Sequence, residues 1–437
     1  MSLAEIIRRA GVVGCGGAGF PAHVKAASQA DIVVANGAEC EPLLHKDLEL
    51  MIREPEALVD GMNLLMSATG ARQGIIGVKK KNEEKLEGLR LALRSSPITL
   101  HYLGDYYPTG DEYVLVYETT RRLIPPQGIP LNVGVVVQNV ETLRNYSHAA
   151  QDLPSVTKYI SVAGAVAHPS TFEVPIGLSF ADAIQAAGGA TISEYAVFVS
   201  GIMMGKLEKD MSLPVTKTCA GLIVLPVGHR LVQRKILPQS FMMHIGKSAC
   251  DQCSFCTEFC PRYLLGYDVQ PHKVMRSLSF TATGAEIWNQ WAQLCCSCGL
   301  CTLYACPEDL YPKEACDKAK SDLLAIHKQW NGNRTVQVHP IYDGRHVPLQ
   351  KLIGKLGVEA YDVPAHFVEK QFSPDVIRLP LSQHLGTPAT PIVSAGEHVR
   401  AGDIVADIPE GQLGARLHAS IDGRVTSVGS EIVVERM

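Results

Sequence analysis

Two closely spaced cysteine runs constrain this chain more than any other feature of its sequence. Residues 250–261, CDQCSFCTEFCP, have the spacing C-x2-C-x2-C-x3-C-P, and residues 295–307, CCSCGLCTLYACP, repeat the two short steps with a Cys-Pro after four further residues. The first spacing is that of bacterial ferredoxins, whose neighbouring thiolates bind a [4Fe-4S] cube. Structural Zn²⁺ also uses C-x2-C pairs, but each run here has an extra C-x2 step and a distal Cys-Pro. We therefore predict two [4Fe-4S] clusters.

The fourth cysteine of each run is expected to bind the cube of the other run, as in two-cluster ferredoxins. The predicted metal ligands are Cys250, Cys253, Cys256 and Cys306 for one cube, and Cys295, Cys298, Cys301 and Cys260 for the other. Cys296 and Cys316 are left over. Cys296 could replace Cys295 only through a C-x-C step, which would strain the loop, and Cys316 is predicted to lie in a helix. Whether Cys296 can replace Cys295 stays open at this point.

Length and charge limit the class of protein. The chain has 437 residues, enough for about three domains. Its 40 Lys and Arg against 44 Asp and Glu give a net charge of −4, so nucleic acid is not an expected partner. The longest apolar stretches are far too short for a direct membrane span. Thirteen cysteines, mostly between residues 250 and 316, indicate metal binding in a reducing compartment. We predict a cytoplasmic protein.

The pattern of apolar residues divides the chain into regions. Residues 1–155 alternate strand and helix patterns, which is typical of an α/β domain with a mostly parallel sheet. Residues 156–235 have short strands around one helix, as in a small α+β module. The cysteines fall in residues 236–330, a linker is predicted over residues 331–373, and Gly-spaced strands predict a sandwich over residues 374–437. The predicted fold class is therefore multidomain, α/β and α+β.

A glycine-rich loop begins the first region. Residues 14–19, GCGGAG, match the dinucleotide fingerprint G-x-G-x-x-G, but the preceding residues have helical spacing, so the motif lacks the strand it requires. Five glycines in nine residues can still bring backbone amides close to a phosphate or a flat ring, with Lys25 supplying charge. The alternative is a flexible turn. Residues 79–81, three consecutive lysines after a strand, predict a solvated turn.

Four segments carry a resemblance to a known family, and they are GCGGAGFPAHVK at 14–25, NGAECEP at 36–42, YPTGDE at 107–112 and QNVET at 138–142. They resemble the flavin- and NADH-binding segments shared by the flavoprotein subunit of respiratory complex I and the C subunits of Rnf electron-transport complexes. The resemblance covers essentially the whole chain. It implies a Rossmann-like FMN/NADH domain, a soluble-ligand-binding β-grasp module, a bacterial ferredoxin-like two-cluster domain and a C-terminal barrel-sandwich hybrid.

The resemblance also implies roles for residues of those segments. It places the glycine loop against FMN, Lys25 near its phosphate or ribityl chain, and Asp111 and Glu112 against NADH. The implied cofactor-binding residues are Gly14, Gly16, Gly17, Gly19, Phe20, Lys25, Asn36, Glu39, Glu41, Asp111, Glu112, Asn139 and Thr142. FMN would then convert hydride, which carries two electrons, into the single electrons that a cube accepts.

The order of the regions resembles one branch of this family. Typical Rnf C subunits have the barrel-sandwich segment at the N-terminus, whereas here it comes last. That order and the four-residue gap before Cys306 are similar to the cobalamin reductases of propanediol-utilisation microcompartments. The resemblance implies NADH-dependent reduction of a corrinoid, cob(III)alamin or cob(II)alamin, for adenosylcobalamin recycling. It also implies an adenosyltransferase and microcompartment shell proteins as partners.

Two other functions remain open. The chain could be an NADH-oxidising Rnf C-type subunit that passes electrons to ferredoxin or another acceptor in a complex, or a non-catalytic electron conduit. The terminal sandwich resembles a biotinyl or lipoyl domain, but no lysine follows Lys370, so a swinging-arm carrier is excluded.

Overall fold

The N-terminal part of the chain folds around a parallel sheet. The structure is a computed structural model that describes residues 1–278, 289–332 and 335–437. Residues 279–288 of the predicted cluster region and residues 333–334 of the predicted linker lie outside the described residues. The first strands are β1 (Ile32–Gly37), β2 (Gln73–Lys79), β3 (Ile98–Leu103), β4 (Tyr106–Tyr107) and β5 (Val135–Asn139). The sheet order is β3-β2-β1-β5, and every pair is parallel.

Helices cover both faces of this sheet. They are α1 (Leu3–Arg9), α2 (Ala22–Ala26), α3 (Lys46–Arg53), α4 (Pro55–Thr69), α5 (Glu87–Ala92), α6 (Glu112–Thr120) and α7 (Val140–Ala150). Val33 of β1 packs in one core with residues of α4 and α7, and Val34 packs in another with residues of α6. A strand buried on both faces reads as a continuous apolar run, which is why β1 begins IVVA. Asn36 and Asn139 pair in register at the carboxyl ends of β1 and β5.

The second module is a mixed sheet with one helix. Its elements are β6 (Thr157–Gly164), β7 (Ser170–Pro175), α8 (Phe180–Ala186), β8 (Tyr195–Val199), β9 (Lys206–Glu208) and β10 (Gly221–Pro226). The strand order is β7-β6-β10-β8-β9, in which only β6 and β10 are parallel. Phe180, Ala183 and Ile184 of α8 are buried against the sheet. This is the β-grasp arrangement of one helix held by a mixed sheet.

Short helices connected by tight loops carry the cysteines. They are α9 (Arg230–Lys235), α10 (Gln239–Ala249), α11 (Phe255–Glu258), α12 (Pro261–Leu264), α13 (Pro271–Ser277) and α14 (Pro312–Ala325). Cys316 lies in α14, as its sequence context predicts, and is fully buried. No helix in the described ranges is both long and apolar enough to cross a membrane.

Two small sheets form the C-terminal domain around a shared apolar core. Their strands are β12 (Val376–Pro380), β13 (Thr390–Pro391), β14 (His398–Val399), β15 (Ile404–Asp407), β16 (Leu417–His418), β17 (Gly423–Val428) and β18 (Glu431–Glu435). One sheet has the order β12-β18-β17-β14 and the other β13-β15-β16. Buried residues of both sheets meet in one cluster, as expected for a barrel-sandwich hybrid.

The segment predicted as a linker, residues 331–373, is structured in part. It contains β11 (Val347–Pro348), which pairs antiparallel with β4, and α15 (Leu349–Leu356). Leu349, Leu352, Ile353 and Leu356 of α15 are buried in a core that also contains Tyr107 and Cys298. The helical spacing of these four residues is the sequence signal that the linker prediction overlooked. This segment therefore joins the N-terminal α/β domain to the region that carries the cysteines.

Candidate functional site

The glycine loop between α1 and α2 presents bare backbone to solvent. The Gly14 N–H donates to the Phe20 carbonyl at 2.8 Å, and a bridge between Val13 and Pro21 closes the base of the loop. Gly16 and Gly17 at its tip are exposed. Gly17 has φ +117°, and a Cβ built there would meet no atom within 4 Å. The loop tip thus leaves open space for a ligand that approaches the backbone closely.

The loop is fixed against the carboxyl ends of the parallel strands. Thr142, fully buried near the start of α7, accepts a hydrogen bond from the Cys15 N–H at 2.9 Å. Gly16 lies against Asn139, whose side chain caps α7 through the Glu141 N–H and donates to Asp47 at 2.9 Å. In open α/β sheets this edge is where ligands bind.

Two further predicted segments meet at the same edge. The Asn36 amide donates to the Gly110 carbonyl at 2.9 Å, which joins the end of β1 to the segment before α6. The Lys25 ammonium lies 3.3 Å from the Glu112 carboxylate and donates to the Val137 carbonyl at 2.8 Å. Both side chains are partly exposed, so Lys25 and Glu112 remain available to a ligand. The structure therefore brings together the glycine loop, Lys25, Asn36, Glu112, Asn139 and Thr142.

Three predicted acids direct their carboxylates to protein donors. Glu39 accepts from the Asp47 and Leu48 N–H groups and so caps α3. Glu41 accepts from the Met203 and Met204 N–H groups at 3.1 and 3.0 Å. Burial raises the pKa of each of these two glutamates to about 7.

Asp111 has both N-capping and ion-pair contacts. One of its oxygens accepts from the Tyr113 and Val114 N–H groups, and the other lies 2.9 Å from the guanidinium of Arg262. Asp111 and Arg262 are both nearly buried, with side chains 11% exposed. Protein groups bind all three of these carboxylates. The cofactor contacts assigned to Glu39, Glu41 and Asp111 therefore stay predictions.

A buried group of charges below the glycine loop has no counterpart in the sequence-based predictions. Glu141 accepts from Lys46 at 3.0 Å, from Lys158, and from the Tyr159 N–H at 2.9 Å. Glu141 and both lysines are at most 2% exposed. Burial alone would raise the pKa of Glu141, but Lys158 and Lys46 outweigh it and hold that pKa at about 2. In the sequence, the polar residues of VETLRN in α7 were the signal that could have indicated this buried group of charges.

The prediction of a solvated turn at residues 79–81 is wrong for Lys79. Its side chain is 2% exposed and lies 3.0 Å from the Asp105 carboxylate, which also pairs with Lys81. Burial of a lysine requires a partner, and Asp105 follows β3, the strand beside β2. This contact across the sheet edge could not be read from the run of lysines.

The C-terminal domain packs against the outer side of the glycine loop. The Leu385 N–H donates to the Gly19 carbonyl at 3.0 Å, and a Cβ on Gly19 would lie 3.1 Å from His384. Lys217 of the β-grasp module is buried and donates to the carbonyls of Gly11 at 2.6 Å and Arg416 at 2.7 Å. Burial lowers the pKa of Lys217 to about 7. Three domains therefore meet behind the loop.

The two cysteine runs have matching backbone conformations. Gln252 and Ser254, on either side of Cys253, have φ of +62° and +65°. Ser297 and Gly299, on either side of Cys298, have φ of +57° and +82°. This repeated left-handed backbone curls each run around its central cysteine. It makes Cys298, rather than Cys296, the equivalent of Cys253.

Four cysteines from both runs line one cavity, and we name them the first cysteine set: Cys250, Cys253, Cys256 and Cys306. Burial raises the pKa of Cys256, and the neighbouring Cys250, Cys306 and Cys253 raise it further. This donor set fits one [4Fe-4S] cube, because it supplies four thiols and crosses between the two runs.

The second cysteine set, Cys260, Cys295, Cys298 and Cys301, is less exposed. Burial and then Cys295 and Cys296 raise the pKa of Cys260, so the thiols of both runs are neighbours here too. Cys296 contacts Cys298, and Cys316 contacts Cys295. The assignment of Cys295 rather than Cys296 to this set therefore stays a prediction.

The fold and these two sites define a multidomain oxidoreductase with an FMN-binding domain and an iron-sulfur domain. Residues 7–148 match the Nuo51 FMN-binding domain, residues 159–206 the SLBB domain, residues 249–311 the 4Fe-4S dicluster domain and residues 363–436 the RnfC barrel sandwich hybrid domain. These matches confirm the predicted fold class.

Full-length relatives define the family more narrowly. The chain is 40% identical over 433 residues to "Cobalamin reductase PduS" of Citrobacter freundii, covering 99% of this chain and 96% of that protein. It is also 40% identical to the PduS of Salmonella typhimurium, covering 98% and 95% of the two chains. The chain belongs to the PduS cobalamin reductase family. The C subunit of the proton-translocating ferredoxin:NAD(+) oxidoreductase complex of Clostridium ljungdahlii is 32% identical over 59% of this chain and 55% of its own length.

Proposed function

We propose that this protein oxidises NADH and passes single electrons through FMN and two [4Fe-4S] clusters to a corrinoid. The product is cob(II)alamin or the lower-valent form that an adenosyltransferase requires for adenosylcobalamin recycling. The proposal rests on one observation: the same chain has an exposed glycine loop at the strand ends and two sets of four cysteines. Full-length identity of 40% to cobalamin reductases supports the choice of acceptor.

The residues at the strand ends suit FMN. Gly16 and Gly17 offer backbone amides without side chains, and Lys25 offers positive charge to a phosphate, while Asn36 and Asn139 hold the strand ends beside them through Gly110 and Asp47. FMN, when bound, supplies conversion between hydride transfer and single-electron transfer. Phe20 closes the glycine loop and Glu112 pairs with Lys25, and we propose that NADH approaches beside them. The protein contributes the position of the cofactor, since Thr142 and the Phe20 carbonyl fix the glycine loop.

The resemblance to microcompartment reductases extends the proposal to location and partners. We place the protein within a bacterial microcompartment for propanediol utilisation, in the cytoplasm, with shell proteins and an adenosyltransferase as partners. The second candidate function is an Rnf C-type subunit that passes electrons to ferredoxin, and the 32% identity to the C subunit of a ferredoxin-linked complex favours it over a simple conduit.

Cluster content is the first test. Protein purified or reconstituted without oxygen is expected to hold about eight irons and eight acid-labile sulfides, as two cubes require. Cys253→Ala should lose about half of the iron and sulfide and keep FMN, because Cys253 lies far from the glycine loop in the chain and in a separate domain. Iron, sulfide and flavin are measured on the same samples. Stoichiometric zinc without labile sulfide would contradict the prediction.

The acceptor is the second test. Under anaerobic conditions, NADH is expected to reduce hydroxocobalamin, followed at the corrinoid absorption bands, and Cys253→Ala should lose most of this rate while it still reduces flavin. Ferricyanide and ferredoxin serve as comparison acceptors. Rapid ferricyanide reduction without corrinoid turnover, even with an adenosyltransferase present, would show that the acceptor is different. Preferential reduction of ferredoxin would favour the Rnf-type function.

A further inference from the structure

The second cysteine set is held directly by a side chain of the flavin domain. Tyr107, in β4, is buried, and its hydroxyl donates to the carbonyl of Cys298 at 2.6 Å. Tyr107 and Cys298 lie in the same apolar core. Tyr107 also belongs to the segment YPTGDE, whose Gly110 accepts the Asn36 amide at the strand ends. One short segment thus contacts both the candidate flavin site and a predicted cluster ligand.

Glu41 makes a second connection to the same cysteine. Its carboxylate binds the N–H groups of Met203 and Met204, and a Cβ on Gly299 would lie only 2.9 Å from the Met203 carbonyl. Met203 therefore fills the space between Glu41, which follows β1, and the residue after Cys298.

Asp111 makes a third connection, to the other run. Arg262, which pairs with Asp111 at 2.9 Å, comes two residues after Cys260 and stacks over the Tyr113 ring at 3.5 Å. Cys260 itself packs with Tyr106 and Val114. The second set is thus fastened to the flavin domain at Cys298 and at Cys260.

The cavity of the first cysteine set has no lining residue from the flavin domain among the described residues. All the described residues that line it fall within residues 250–312. Cys253 is exposed, whereas Cys260, Cys298 and Cys301 are each at most 9% exposed. Cys306 and Cys250 of the first set pack with Cys295 of the second in one apolar cluster, so the two sets are neighbours.

We propose that the two cysteine sets hold fixed places in the electron path: the second set takes electrons from the flavin site, and the first set delivers them to the external acceptor. This order rests on the proposed function, since it requires FMN and two cubes. Oxidation of one NADH to NAD⁺ would transfer a hydride, whose two electrons leave one at a time to two molecules of a one-electron acceptor such as ferricyanide or oxidised cobalamin, while its proton is released to solvent. Tyr107 is a positioning residue that holds the second set against the flavin segments.

The test compares two variants that each keep one cube, Cys253→Ala and Cys298→Ala, by electron paramagnetic resonance. In partly reduced protein, a reduced cube next to the flavin accelerates relaxation of the flavin radical. Cys253→Ala keeps the second set. The microwave power needed to half-saturate its flavin-radical signal should be several-fold higher than that needed for Cys298→Ala. Equal values, or a higher value in Cys298→Ala, would overturn the proposed order.

A second variant tests the order with both cubes present. Tyr107→Phe removes only the hydroxyl that binds the Cys298 carbonyl. The cube signal that survives in Cys253→Ala belongs to the second cysteine set. Tyr107→Phe should shift the midpoint potential of this signal and leave that of the other cube unchanged. A shift confined to the other signal, or none in either, would contradict the role of Tyr107 and the proposed order. Both measurements omit the corrinoid, so failure to reduce cobalamin would count against the proposed acceptor alone.

Discussion

Gly17→Val is expected to purify with at least about tenfold less FMN than the wild-type protein, while its iron and sulfide stay unchanged. Gly17 has φ +117°, a backbone conformation that β-branched residues strongly disfavour. The new side chain would also project into the open space in front of the loop, where no protein atom lies within 4 Å. A tenfold loss of affinity corresponds to about 1.4 kcal/mol, which strain and steric exclusion together should exceed.

The matched control for this variant is Gly70→Val. Gly70 follows α4, has φ +73°, and also has open space around its Cβ position. Gly70→Val should therefore suffer comparable backbone strain and keep its flavin. Flavin and iron per polypeptide, with near-ultraviolet circular dichroism as a check on folding, decide between them. Equal flavin content in the two variants would move the FMN site away from the glycine loop.

Glu141→Gln is expected to lower the free energy of unfolding by about 3–5 kcal/mol, the usual cost of removing one partner from a buried ion pair. Glu141 is 1% exposed, and its loss removes the carboxylate that pairs with the buried Lys158 ammonium, while Lys46 keeps its ion pair with Asp47. Chemical denaturation followed by a flavin-domain signal measures the change, because a multidomain chain need not unfold in one step. Glu369→Gln is the control: it breaks an exposed pair with Arg53 and should cost less than about 1 kcal/mol.

The same group gives an expected pH dependence. The pKa of Glu141 is about 2 in the folded protein, below its ordinary value of 4.5. A carboxylate with a depressed pKa in the folded state stabilises the protein fully above its ordinary pKa, and this contribution is lost as the pH falls from about 4.5 towards 2. The stability difference between wild type and Glu141→Gln should therefore shrink over this range. A difference that does not change with pH would show that the variant acts through packing instead.

The sequence was most informative about closely spaced cysteines and about the periodicity of apolar residues. The cysteine spacing predicted an iron-sulfur domain, and alternating apolar runs predicted the parallel sheet, since both patterns depend on neighbours in the chain. The direction of individual carboxylates was not predictable. Glu41 and Asp111 lie in segments that resemble cofactor-binding ones, yet their partners, Met203 and Arg262, are about 150 residues away in the sequence. Such contacts depend on how domains pack, which a single sequence does not encode locally.

The structured segment around α15 was missed for a related reason. LQKLIGKL has helical spacing but only eight residues, and its apolar face packs into a core built from distant segments that include Tyr107 and Cys298. The burial of Lys79 could not be predicted for the same reason, because it depends on Asp105 at the end of the neighbouring strand.

The bridge made by Lys217 ties the flavin domain to the C-terminal sandwich through the β-grasp module. A single ammonium group joins the carbonyl of Gly11, at the start of the flavin domain, to that of Arg416 in the last domain. The sandwich thus sits beside the beginning of the domain from which it is most distant in sequence. Loss of this ammonium group would therefore leave two carbonyl oxygens, from segments about 400 residues apart in the sequence, without their shared donor.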